Sequence, residues 1–266
     1  ARILGHSLGE FAAAVSAGIV ELGDAARIVA HRARLVAQAP GPGAMAVIEG
    51  DAAWVGVLIG PVADQVSVAA LNGPSQTVVS GRVGGVAAVI EAAKAAGRRA
   101  HRTPITHAFH SPVMEPILDA FEAEVGRVPL ARPAVPFLSS VTADWADAEV
   151  ARPGYWRRHL RDTVRFREAL ARLAETGPSL AIELGPRPVL VRQIAAEGLS
   201  IPAVSSLAGD GADVASLRAA AAAAYCHGAA VDWRAVLGPR RAPPAVLPTY
   251  PFQRTRCWFT DAPGRR

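Results

Sequence analysis

Apolar residues recur along this chain in two rhythms, and the change between them marks its organisation. Ala1–Leu4 is a short apolar run entering the glycine-bounded turn Gly5–Gly9. Glu10–Ala17 then takes helical spacing, which Gly18 stops. Leu22–Gln38 sets Ala26, Val29, Ala30 and Leu35 at helical intervals behind Asp24. Two prolines and two glycines within Ala39–Met45 break the pattern.

From Ala44 the rhythm shortens. Ala44–Ile48, Val66–Leu71, Thr77–Ser80 and Arg99–Ile105 read as strands, with helices at Asp51–Ile59 and Gly84–Ala96. The order β-α-β-β-α-β within about sixty residues is the signature of a ferredoxin-like unit. Beyond it, Ser111 caps a helix with Pro112 at its first position. Strands at Val135–Val141, Leu180–Leu184 and Ile201–Ser205 then alternate with helices at Tyr155–Leu160, Phe166–Glu175, from Val189, and at Val214–Ala224.

This alternation predicts an α/β fold. Its large subdomain has an α/β-hydrolase-like parallel sheet covered on both faces, into which the ferredoxin-like small subdomain is inserted. The boundaries fall at 1–42 and 107–229 for the large subdomain and 43–106 for the small one. Residues 230–266, rich in Pro, Arg and aromatics, read as an extended tail lying on a surface.

Composition narrows the function classes. A chain of 266 residues suits one large domain with an insert and needs no disulfide staples. Its two cysteines, Cys226 and Cys257, form no CxxC pair, which speaks against a disulfide framework or zinc site and for reduced thiols. The formal charge is +5, with Lys94 the only lysine. Arginines cluster at Arg98-Arg99-Arg102, Arg157-Arg158-Arg161, Arg240-Arg241 and Arg265-Arg266, without interleaved aromatics or a known module, so no nucleic-acid partner is expected. No apolar run is long enough to span a membrane, and no basic-then-apolar leader opens the chain. The expectation is a cytoplasmic protein with no membrane partner. The chain starts without Met at its most informative motif, so further residues are expected before Ala1.

That motif is Gly5-His6-Ser7-Leu8-Gly9, a GxSxG pattern between a strand and a helix. Such a turn holds a serine Oγ at its apex, with flanking glycines allowing the bend. The following helix aims its N–H groups at the same point. The Leu8 N–H, next after the serine, is the natural oxyanion donor. A serine nucleophile needs a base, and seven histidines are present. His6 adjoins Ser7 but should point away from its hydroxyl. His107 and His110, in HAFH, stand where the small subdomain returns to the large one, and clefts form at such junctions. From the residues alone, His107 and His110 are equal candidates. No third ligand accompanies them, so no metal is expected. Arg32 lies on a mostly apolar helical stretch. Composition favours a solvated arginine beside Arg34, although a buried one could grip a carboxylate with two hydrogen bonds.

GHSLGE, Arg32, NGPSQTVVSG, HAFHSPVMEP, YWRRHLRDTVRF, ELGPRPVL and YPFQRTRCW, in that order along essentially the whole chain, resemble the acyltransferase domain of modular type I polyketide synthases. The chain is also similar to malonyl-CoA:acyl carrier protein transacylases. The resemblance implies Ser7 as nucleophile, His110 as general base, Leu8 as oxyanion donor and Arg32 as the ligand of a substrate carboxylate. It implies that a main-chain carbonyl orients the imidazole, with His159 at the matching position, and leaves His6 and His159 in supporting roles. His107, Ala108 and Phe109 imply selection of malonyl, Phe109 filling the space that an α-methyl group would need.

No permanently bound cofactor is implied. The carriers are malonyl-CoA and the phosphopantetheine of an acyl carrier protein. Residues 230–266 match the linker that returns toward a ketosynthase, with Tyr250, Phe252 and Trp258 as anchors. Relatives also carry, before the elbow, a Gly-Gln-Gly turn whose Gln supplies a second oxyanion N–H, and this part is expected to lie outside the chain. The competing readings are a serine hydrolase or esterase, the same fold selecting methylmalonyl-CoA, and a non-catalytic docking piece.

Overall fold

Strand β1 (Ile3–Leu4) leads through Gly5 into helix α1 (Gly9–Ser16), and α2 (Leu22–Ala37) packs beside it. The computed structural model describes residues 1–209, 211, 213–238 and 248–255. Residues 43–102 build a four-stranded antiparallel sheet from β2 (Gly43–Glu49), β3 (Val66–Gly73), β4 (Gln76–Arg82) and β5 (Ala100–Arg102). The order across it is β3-β4-β2-β5, that of a split β-α-β unit, with helices α3 (Ala52–Ile59) and α4 (Val83–Ala95) as its crossovers. One face buries Ala46, Ile48 and Val79 against Val55 of α3 and Val86 and Val89 of α4.

The opposite face is buried too. Met45, Ala69, Ala70 and Val78 pack on Phe166 and Leu170 of α7 (Phe166–Ala174) and on Ile194 of α8 (Leu190–Ala196). Backbone bonds stitch the same seam: Leu71 N donates to Val164 O and Val164 N to Ala69 O, each at 2.9 Å. A third core joins α1 and α2 to α5 (Leu118–Val125) and α6 (Pro153–Arg161), with Phe11, Phe121, Tyr155 and Trp156 at its centre.

The large sheet differs from the predicted one. β1 runs parallel to β6 (Phe137–Leu138), but β7 (Trp145–Ala146) closes that sheet antiparallel. β8 (Ala181–Glu183) and β9 (Ala203–Ser205) form a separate parallel pair. The expected strand Val135–Val141 shrinks to two residues for local reasons. Pro136 has no N–H to give, and Ser139 Oγ takes the N–H groups of Val141 (3.0 Å) and Thr142 (3.1 Å), diverting the backbone into a turn. The helix expected after Ser111 begins instead as a 3-10 turn, Pro112–Ile117, because Pro116 cannot supply an α-helical hydrogen bond.

Helix α9 (Asp213–Cys226) ends at an exposed thiol, Cys226. The tail is not wholly extended, since Asp232 caps a short helix, α10 (Trp233–Leu237), through the N–H groups of Arg234 and Ala235. Tyr250 and Phe252 are 66% and 79% exposed and pack edge-on against each other, not against the body. Arg240, Arg241, Cys257, Trp258, Arg265 and Arg266 lie outside the described residues. Among the described residues, no helix is long and apolar enough to cross a membrane.

Candidate active site

The turn that carries Ser7 is held by three backbone bonds: Gly9 N to His6 O (3.0 Å), Glu10 N to Ser7 O (2.8 Å) and Phe11 N to Leu8 O (3.2 Å). Leu8 N–H is not among these donors, and Leu8 itself is exposed. Of the two flanking glycines only Gly5 is sterically required. A Cβ there would lie 2.3 Å from Glu10 Cα, whereas one on Gly9 would meet nothing within 4 Å. The strained residue is the serine itself, with φ +49°, a left-handed conformation that side-chain-bearing residues seldom hold.

His110 shares that strain, at φ +58°. Its N–H donates to Leu160 O at 3.3 Å, and its carbonyl accepts from Ser67 Oγ at 2.7 Å, so α6 and strand β3 together hold its backbone. The ring bridges two groups: Nδ1 lies 2.8 Å from the Asp162 carbonyl and Nε2 lies 2.7 Å from Ser7 Oγ. A carbonyl only accepts, so Nδ1 carries the proton and Nε2 is free to accept from the serine hydroxyl. Burial, with the Arg32 charge adding to it, pushes His110 down to about 3. The imidazole therefore stays neutral across the physiological range. The geometry can abstract a serine proton at neutral pH.

His107 does not join this pair. It is exposed, and its Nδ1 lies 3.4 Å from Thr106 Oγ1. Ala108 is buried and Phe109 half-buried between it and His110. His6 turns away from Ser7, donating through Nε2 to Asn72 Oδ1 (2.8 Å) on β3 and meeting the edge of Phe166. The carbonyl that orients His110 comes from Asp162, three residues past His159. His159 is instead fully buried and donates through Nε2 to Ser7 O at 3.0 Å. Burial holds its pKa well below the ordinary histidine range, with the Arg32 charge pushing the same way.

Arg32 sits on the core-facing stripe of α2, in register with Ala25, Ile28 and Val36. Only 5% of it is exposed, and its guanidinium lies over the Phe109 ring, 4.8 Å from the centroid. Its Nε is buried without a hydrogen-bond partner, and no acidic group pairs with it among the described residues. Burial lowers its pKa to about 10, which still leaves it charged. A buried, unpaired cation is costly and calls for an anion.

Sequence reasoning passed over Glu10, which is fully buried. Its carboxylate accepts from Tyr155 OH, Ser140 Oγ and, at 3.2 Å, Ser140 N, and burial raises its pKa to about 7. The only available signal was its place directly after the GxSxG turn. A cavity of about 490 Å³, lined by Leu4, Phe166, Leu170, Ile182, Ile194 and His227, lies apart from these groups and touches neither Ser7 nor Arg32. Among the described residues, no group of three His, Cys, Asp or Glu is arranged to hold a metal ion.

Residues 1–225 match the family described as acyl transferase domain. The chain belongs to that family. This acyltransferase domain is 38% identical over 260 residues to mycoketide-CoA synthase of Mycobacterium tuberculosis, covering 97% of the chain and 6% of the synthase. Among solved structures it is similar to the acyltransferase domain from the second module of the salinomycin polyketide synthase, at TM-score 0.85 and 36% identity. That match covers 94% of this chain and 59% of the other. It also resembles the malonyl CoA-acyl carrier protein transacylase of Coxiella burnetii, at TM-score 0.74 and 29% identity, covering 81% of this chain and 69% of that one. The chain thus spans a small part of its curated relative, and the fold is the mixed-sheet α/β architecture of these acyltransferases.

Proposed function

We propose that this acyltransferase domain moves a malonyl unit from malonyl-CoA to the phosphopantetheine thiol of an acyl carrier protein through an ester on Ser7. In the first half-reaction His110 Nε2 takes the Ser7 hydroxyl proton as Oγ attacks the thioester carbon. The carbon–sulfur bond breaks, and the CoA sulfur leaves with the proton from His110. In the second, the carrier thiol loses its proton to His110 and attacks the ester, and Ser7 Oγ departs with that proton. Leu8 N–H is the oxyanion donor, and Asp162 O keeps His110 in the accepting tautomer. No bound metal or redox group enters either step.

One observation carries the malonyl reading: among the described residues Arg32 is buried without a counter-ion, against the residue that precedes His110. A malonyl carboxylate supplies the missing charge in bidentate form. Phe109, stacked on Arg32, occupies space beside that carboxylate and disfavours an α-methyl group by about 1–3 kcal/mol. The 1–42, 107–229 and 43–106 subdomain division, the acyl carrier partner and a ketosynthase contact through 230–266 belong to the same reading.

The alternative, an esterase of neutral substrates, has no use for the Arg32 cation. Incubation with malonyl-CoA followed by intact mass measurement tests the proposal. The expected result is a malonyl adduct on Ser7 that Arg32→Ala forms far more slowly. An adduct formed equally fast by Arg32→Ala, or equal acylation by acetyl-CoA, contradicts it.

A further inference from the structure

The GxSxG turn is followed by an acid that the reaction above does not use. Glu10 occupies the first turn of α1, where a carboxylate is usually exposed and serves the helix dipole. Here it is sealed in the interior, and all its polar partners come from distant parts of the chain. Tyr155, on α6, donates to Oε1; Ser140, just past β6, gives both its hydroxyl and its N–H to Oε2. Tyr155 OH is in turn bonded to Ser139 Oγ at 2.6 Å. His159, one turn after Tyr155, brings Nε2 to 4.0 Å from Glu10 Oε2.

The consequence lies at the other end of α6. Within eight residues, that helix and its C-cap provide the Leu160 and Asp162 carbonyls that hold His110 and the His159 N–H that holds Ser7 O. Both Ser7 and His110 sit in left-handed backbone conformations, which persist only when the surroundings over-determine them. Glu10 belongs to the nucleophile's own helix and Tyr155 to the helix that orients the base. Their bond is a direct tie between the two.

Building on the Ser7–His110 pair of the preceding reading, we infer that Glu10 is a positioning residue: with Tyr155 and Ser140 it locks α6 to the nucleophile turn, so that Ser7 Oγ and His110 Nε2 stay at reacting distance. It touches no substrate. Its effect belongs in the rate of nucleophilic attack and not in substrate affinity, because a displacement of about 1 Å at a reacting pair costs up to about 100-fold.

The test uses the full chain and an alkyl fluorophosphonate, which phosphonylates an activated serine with loss of fluoride and carries no malonyl carboxylate. Glu10→Gln keeps the shape but puts an amide donor beside Ser140 N or Tyr155 OH. Tyr155→Phe cuts the same tie from the other side and serves if Glu10→Gln does not fold. For a folded variant the expected labelling rate constant at Ser7 falls about 10- to 100-fold for Glu10→Gln and about 3- to 10-fold for Tyr155→Phe. The KM for malonyl-CoA stays within about twofold of wild type. A purely structural role would lower the melting temperature and leave the rate per folded molecule unchanged, and that result overturns the inference. The two readings separate cleanly. Wild-type chain that reacts with the fluorophosphonate at Ser7 but not with malonyl-CoA loses the malonyl reading and leaves the Glu10 comparison intact.

Discussion

Glu10 and Arg32 are both ionisable side chains sunk in the interior, and the protein treats them in opposite ways. Glu10 has three hydrogen-bond donors from two distant segments, and its set of partners is complete without a ligand. Arg32 has an aromatic face and no acid, and its Nε is unsatisfied among the described residues. A buried acid whose partners the fold itself supplies is architecture. A buried cation left open, within electrostatic reach of a serine–histidine pair, is what the proposed function reads as the place for a substrate carboxylate.

The sharpest way to break this contrast is to remove each charge and read activity and stability together. Arg32→Met should cut malonyl transfer to Ser7 by about 10²–10³-fold, the scale of losing a charge-assisted bidentate contact. The same change should raise the melting temperature, since an apolar side chain of similar volume replaces an unpaired buried cation. Glu10→Ala should behave in the opposite sense on stability. It leaves Ser140 N without its acceptor, takes one of two partners from Tyr155 OH, which keeps Ser139 Oγ, and opens a cavity, costing about 3 kcal/mol, measurable by urea denaturation.

A smaller effect concerns the Phe109 ring, which lies against Arg32 and precedes His110 in the chain. Phe109→Ser should raise methylmalonyl relative to malonyl acylation about tenfold, measured by competition in one tube. Comparable in size is the pH signature of Glu10. Its folded pKa of about 7 lies above its ordinary 4.5, so the native state holds a proton that the unfolded chain has released in between. That contribution to stability is complete below pH 4.5 and is lost as pH rises through 7, at no more than about 1.4 kcal/mol per pH unit. The stability difference between wild type and Glu10→Gln should therefore drift against wild type from pH 5 to pH 7. A flat difference would mean that Glu10 is not held protonated.

The contrast also explains what could be read in the chain beforehand. Ser7 and His110 lie in the short motifs GHSLG and HAFH, and the fold brings them within 2.7 Å, while the residues alone leave His107 and His110 level. Composition placed Arg32 in solvent, because one arginine on an apolar stripe looks like its neighbour Arg34 until α2 is packed. Glu10 was invisible for a related reason, since an acid in a first helical turn reads as dipole stabilisation. Only Tyr155, 145 residues away, reveals the burial. The Asp162 carbonyl leaves no trace in sequence, because a main-chain acceptor is available at every residue. Alternating strands and helices showed the α/β class. They could not show that Ser139 would end β6 after two residues, or that β7 would pair antiparallel. Such outcomes depend on side chains competing for the backbone, which hydrophobic periodicity does not register.

The role of Arg32 is open to one direct measurement. Wild-type and Arg32→Met chains are mixed separately with malonyl-CoA and acetyl-CoA, and the rate of mass gain on Ser7 is followed. Wild type should prefer malonyl by about 10²-fold or more, and the preference should collapse in Arg32→Met through loss of the malonyl rate alone. Equal malonyl and acetyl rates in wild type, or a preference that survives the substitution, would contradict that role.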